Sequence, residues 1–207
     1  PGYDDPDYVP LFLGATVLGG LASSRLDESL VREQSKAVSV VATAQIFAQA
    51  GQVLVWANAA PGVSTEELGE ALDAEIASFL AEGPTADELQ RAATSYTAST
   101  IRGLEQTGGF SGKAPILAQG LLYSGDPAHY KAELQRGAAM TPEEVREVTA
   151  RWLDRPAFSL IVEPGTRTEG GENRGGYYTG QLAMIADGGL PGPAFRSQEP
   201  GNGGAVA

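Results

Sequence analysis

Two short extended runs sit early in a chain that otherwise reads as helix, and that placement limits the folds open to it. Residues 37–45 are rich in Val, Ala and Thr, and residues 52–59 carry Val53, Leu54, Val55 and Trp56. Ala50-Gly51 separates the runs, the pattern of an antiparallel hairpin. Ahead of it, residues 5–34 predict one long helix: Tyr8, Leu11, Phe12, Ala15 and Leu18 keep helical spacing, and Gly19-Gly20 interrupts softly before residues 21–31 resume it.

After the hairpin, three helix starts share one signature. Ser64, Thr85 and Thr141 each precede, by three residues, a glutamate: Glu67, Glu88 and Glu144. In such a capping box the hydroxyl accepts from an orphan backbone N–H and the carboxylate returns to the cap residue's own N–H. Pro142 adds a proline at the first helical position, where its missing N–H costs nothing. Leu68, Leu72, Ile76, Phe79 and Leu80 give the first of these helices a buried stripe, and Gly83-Pro84 ends it.

Residues 108–112 form a glycine-rich break, residues 113–123 return to helical spacing, and Ser124-Gly125-Asp126-Pro127 turns the chain into a helix through Gln135. A helix ending near Leu153 and a final strand over residues 157–163 complete the ordered part, 1–164. From Pro164 onward 16 of 44 residues are Gly or Pro, so residues 165–207 read as a linker or tail. The order of elements predicts an α+β fold: a two-layer α/β sandwich with a mostly antiparallel or mixed sheet covered by helices on one face.

The composition removes several functions. A net charge of −12 and a pI near 4.5 leave no basic stripe to neutralise phosphates, so nucleic acid is not an expected partner. The carboxylates between Glu66 and Glu147 form either a solvated helical face or a negative wall that attracts basic peptides. No apolar run reaches the ~20 residues that span a bilayer. With no cysteine there is neither disulfide nor thiol catalysis. The single histidine, His129, reads as a surface residue with Asp126 and Glu133 nearby, short of the three or four ligands of a zinc site.

The remaining motifs are equally bland. Glu66-Glu67 and Glu143-Glu144 are accounted for by capping rather than by a glycosidase-style pair. Residues 108–113 look superficially like a phosphate loop but lack its spacing and a preceding apolar strand. They read as an inter-helix loop with Phe110 tucked into a neighbouring domain. Ser23-Ser24 lacks a nucleophile elbow.

Several segments, in order, carry a family resemblance. Leu18-Gly19-Gly20-Leu21-Ala22-Ser23-Ser24-Arg25-Leu26, then Leu30-Val31-Arg32-Glu33, then Gly83-Pro84-Thr85-Ala86-Asp87-Glu88-Leu89, then Met140-Thr141-Pro142-Glu143-Glu144-Val145, and finally Trp152-Leu153 with Ile161-Val162-Glu163-Pro164 resemble the pitrilysin/insulinase family of zinc peptidases. These enzymes bind zinc through H-x-x-E-H and a distal Glu. That motif needs two histidines, and this chain has one.

The resemblance therefore implies a non-zinc-binding repeat unit, most like the second unit of long bacterial members. Its role would be to shape a substrate chamber in a peptidase that degrades peptides or small proteins. The alternative is a proteolytically inactive scaffold or peptide-binding subunit of a complex. No cofactor is expected in this chain; zinc would sit in a separate catalytic domain of the same polypeptide or of a partner subunit, with peptide as the substrate. The resemblance also implies a periplasmic rather than cytoplasmic location, and a first strand lying before Pro1. Substrate-binding units of the family carry an Arg and, seven residues on, a Tyr at the reacting carbonyl. Arg32 matches the first and is the expected substrate-binding residue, whereas Ser39 stands in place of the second.

Overall fold

Helix α1 (Tyr8–Ala15) runs through the middle of the computed structural model, which describes residues 1–165. Val9, Pro10, Leu11, Leu13, Gly14 and Ala15 are all buried, as expected of a helix that is apolar all round. Pro10 lies in the first turn, where the ring displaces no intrahelical bond. At the other end Gly14 touches Thr149 so closely that an added Cβ would meet the threonine hydroxyl.

Beyond Ala15 the long helix expected from the sequence is not regular. Thr16–Gly20 is a π-helical turn, Leu21 is extended (φ −125°, ψ 156°), and a second π-helical segment covers Asp27–Glu33. Val17, Leu18 and Gly19 are all buried in the first of these turns, as the neighbouring residues of α1 are. Gly19 is the contact point: a Cβ there would stand 2.5 Å from the Ala42 backbone nitrogen and 2.7 Å from its side chain. Gly19→Val is therefore expected to push the segment off the sheet at a cost of about 1–3 kcal/mol, read as a lower urea midpoint. An unchanged midpoint would contradict the close approach.

The hairpin forms where the sequence places it, as β1 (Ala37–Ile46) and β2 (Gly51–Ala59) in antiparallel register, with Val40 opposite Ala57 and Ala42 opposite Val55. A bulge between Ala37 and Ser39 sets Val38 out of the ladder and leaves it 62% exposed. This extra residue is what lets Ala37 share the buried face with Val40, Ala42 and Ala44. Both π-helical segments and α1 pack on β1, so helices cover one face of the sheet, the predicted α+β arrangement.

Four helices and a shorter fifth follow: α2 (Thr65–Glu82), α3 (Ala86–Glu105), α4 (Lys113–Ser124), α5 (Tyr130–Ala138) and α6 (Pro142–Leu153). Ser64, Thr85 and Thr141 each accept the N–H of the glutamate three residues on. Gly83 closes α2 with φ 75°, a left-handed value that glycine takes without strain, and its N–H reaches the Phe79 carbonyl. The core joins Leu13, Leu18, Leu26, Leu30, Phe79 and Val145.

One element is corrected. The final strand expected over residues 157–163 does not form: among the described residues the sheet has two strands, and Phe158, Leu160, Ile161 and Val162 are exposed. β-propensity reports fit to a pleated surface; it supplies no partner edge. The chain divides into Pro1–Leu160 and Ile161–Ala207, and the expected Gly/Pro-rich tail lies, apart from Gly165, outside the described residues.

Candidate functional site

Arg32, the residue singled out for substrate binding, projects from the last turn of the second π-helical segment with its side chain 61% exposed. Its Nε donates to Asp27 Oδ2 at 2.8 Å and one terminal nitrogen donates to the Ala22 carbonyl at 2.6 Å. The fork thus folds back over the turn that precedes its own helix and still presents a guanidinium face to solvent. Ser39, in the position of the family's tyrosine, is exposed and accepts a hydrogen bond from Asn58 Nδ2 at 2.9 Å.

Arg25, seven residues before Arg32, plays a different part. Its Nε and one terminal nitrogen donate to the two oxygens of Glu88 at 2.8 and 3.0 Å, and the same nitrogen donates to the Gly83 carbonyl at 2.8 Å. The guanidinium also lies 5.3 Å from the centre of the Phe79 ring. Burial works to raise the Glu88 pKa, but the bonds from Arg25 and Thr85 outweigh it and hold the carboxyl at about 2. This arginine stitches the helical residues just before the second π-helical segment to the corner between α2 and α3. It anchors the element that carries Arg32.

His129 is not the surface residue expected. It precedes α5 with its side chain only 20% exposed, and its ring stacks 5.1 Å from Tyr3. Below it Glu133 is buried, with Oε2 accepting from the Tyr96 hydroxyl at 3.2 Å. Burial, set against His129 and the tyrosine hydroxyls, leaves the Glu133 pKa raised. Tyr3 and Tyr8 are pushed above the ordinary phenol range, first by burial and then by Glu133. The sequence could not show this cluster, because its members lie on the N-terminal segment, α1, α3 and α5.

Elsewhere the chemistry is thin. Among the described residues no group of three or more His, Cys, Asp or Glu is arranged to hold a metal ion, so zinc does not fit the residues present. Ser24 is buried and its hydroxyl finds no partner among the described residues, and Ser23 is exposed. Phe110, expected against a neighbouring domain, is fully exposed in the described chain. A shallow groove of about 560 Å³ runs along α3 past Leu89, Ala93, Thr97 and Ile101 toward Met140, without a titratable group in its lining. No helix among the described residues is long and apolar enough to cross a membrane.

Comparison with known proteins places this fold. Residues 1–96 match the family model described as the peptidase M16 inactive domain. An uncharacterised zinc protease of Streptomyces coelicolor is 33% identical over 147 residues, which are 70% of this chain and 31% of that protein. The chain thus spans about a third of the length of that relative. Among solved structures, a peptidase M16 inactive domain from Pseudomonas fluorescens superposes with a TM-score of 0.60 at 21% identity, covering 72% of this chain and 35% of that one. The periplasmic protease PqqL of Escherichia coli gives 0.57 at 21% identity, over 75% of this chain and 17% of its own. At these identities the two structures establish a shared fold.

Proposed function

Because the chain belongs to the M16 peptidases, the pitrilysin/insulinase type, as one of their inactive domains, we propose that it forms a non-catalytic wall of the substrate chamber in a zinc-dependent peptidase acting on peptides or small proteins. The observation that carries this reading is the pairing of an M16 fold with one histidine and no cysteine in all 207 residues. A zinc-activated water needs three protein ligands, and H-x-x-E-H cannot be written with one histidine. Zinc and the general base therefore belong to a catalytic domain elsewhere in the same polypeptide or in a partner subunit. Arg32 is the residue of this chain that we assign to the peptide, as a planar donor to a backbone carbonyl or carboxylate. A periplasmic location is the compartment we propose, supported by the likeness to PqqL.

The test has two arms. The isolated chain is expected to hold no stoichiometric zinc after washing and to cleave no peptide; chelator-sensitive cleavage by it would overturn the reading. In the protein that joins this chain to its zinc domain, Arg32→Ala is expected to raise KM for peptide about tenfold, about 1.4 kcal/mol of lost binding, with zinc content unchanged. Its pairs are surface ones, so the fold should lose at most about 1 kcal/mol. An unchanged KM would remove Arg32 from the site.

A further inference from the structure

The histidine and the buried glutamate beside it hold a segment of chain in place. Tyr3 is 4% exposed; its N–H donates to the Phe47 carbonyl at 3.0 Å, at the tip of the β1–β2 hairpin. Its ring packs on Tyr8, Tyr123 and His129, with centres 5.7, 5.5 and 5.1 Å away. Next to it Asp4 Oδ1 stands 4.0 Å from His129 Nδ1, while His129 Nε2 stands 3.8 Å from Glu133 Oε1. That glutamate oxygen is buried and accepts no hydrogen bond from any described residue. The imidazole is thus inserted between a carboxylate of the N-terminal segment and a carboxylate of the interior.

We propose that His129 and Glu133, an imidazole beside a buried carboxyl, form a proton-linked clasp that fastens residues 2–5 to α5 and the hairpin tip, and that rising pH opens it. The groups facing Glu133 are Tyr3 from the N-terminal segment, Tyr8 from α1, Tyr96 from α3 and His129 at the start of α5. Tyr123 from α4 reaches the cluster through Tyr3, and Asp4 reaches it through His129. Of these only His129 can be a cation, and a tyrosine hydroxyl facing the Glu133 carboxylate, as that of Tyr96 does, donates to it. While the pair keeps its proton, either as imidazolium and carboxylate or as imidazole and carboxylic acid, no net charge is left buried at this point. When the proton passes to solvent, Glu133 becomes a buried anion with a neutral histidine beside it, and hydration of that anion requires the Tyr3 lid to lift.

The raised proton affinity of Glu133 agrees with this direction. A carboxyl whose folded pKa lies above its unfolded value contributes stability at low pH and loses it as the pH rises through the folded value. Tyr3 is the moving part because its backbone bond to Phe47 is the link between this segment and the hairpin.

The experiment is amide hydrogen exchange on the whole chain between about pH 5 and 8.5, corrected for intrinsic rates, with the ring resonances of the one histidine followed in parallel. Protection of the Tyr3 amide is expected to fall about tenfold or more as the pH rises across that range, since one unit of pH is one factor of ten in the proton-linked equilibrium. Glu133→Gln, a neutral isostere that still meets the Tyr96 hydroxyl, should keep Tyr3 protected across the range. The same pH-dependent loss in that variant would overturn the clasp. If the variant fails to fold, the wild-type chain decides alone: constant Tyr3 protection across that pH range overturns it as well.

Discussion

Phe79→Ala is expected to remove about 3–5 kcal/mol of stability, a large share of the 5–15 kcal/mol typical of a domain. The ring is 1% exposed near the C-terminal end of α2, one turn before the Gly83 cap. Removing it opens a cavity beneath Arg25, whose guanidinium covers the ring face, so both apolar contact and cation–π attraction are lost together. The surroundings have little freedom to collapse into the gap, because Arg25 is held by Glu88 and Gly83. Phe79→Leu, which refills most of the volume, should cost about 1–1.5 kcal/mol. Guanidinium titrations of the two variants test this ordering; an alanine variant as stable as the leucine one would mean that the α2–α3 corner is not packed on this ring.

The elements that the sequence made legible are those set by local chemistry. All three hydroxyl caps are present, and so is the hairpin at its Ala50-Gly51 break. Yet only Thr85 completes the reciprocal box, its own N–H donating to Glu88 at 2.7 Å. The reason lies outside the motif: Glu67 is drawn to Lys36 at 3.4 Å and Glu144 to Arg136, while Arg25 presses Glu88 back toward its cap. Long-range partners therefore decided what three identical local patterns became.

The same limit explains the misreadings. Regular 3.6-residue spacing does not hold over Thr16–Gly20 and Asp27–Glu33, and in the first of these Gly19 lies against Ala42 of β1. His129 looked like a surface residue because the tyrosine that covers it stands 126 positions earlier in the chain, at Tyr3. Arg32 is singled out by its motif alone; the structure adds its bonds to Asp27 and the Ala22 carbonyl, and its part in peptide binding is the proposal made above. Arg25 lies seven residues before Arg32, but nothing local links it to Glu88, 63 residues away.

Arg25→Met is expected to cost about 2–4 kcal/mol at neutral pH, somewhat below the 3–5 kcal/mol of a fully buried pair, because the two side chains keep 20% and 17% exposure. Methionine preserves the packing of the stem over Phe79 but leaves the Glu88 carboxylate with only the Thr85 N–H and hydroxyl as donors. The pH dependence identifies the cause. Glu88 is depressed to about 2 in the folded chain, so its contribution is complete above the unfolded carboxyl range and disappears as the pH falls through that value. Wild-type stability should accordingly decline between about pH 4.5 and 2. In Arg25→Met the folded pKa of Glu88 rises toward its unfolded value, so the variant starts lower and loses less over that window. Adding Glu88→Gln to Arg25→Met should then cost little more, because the uncompensated charge goes with it. A double-mutant cycle reads that directly: a coupling above about 1 kcal/mol is expected, and simple additivity would show that Arg25 holds the α2–α3 corner through Gly83 and Phe79 alone.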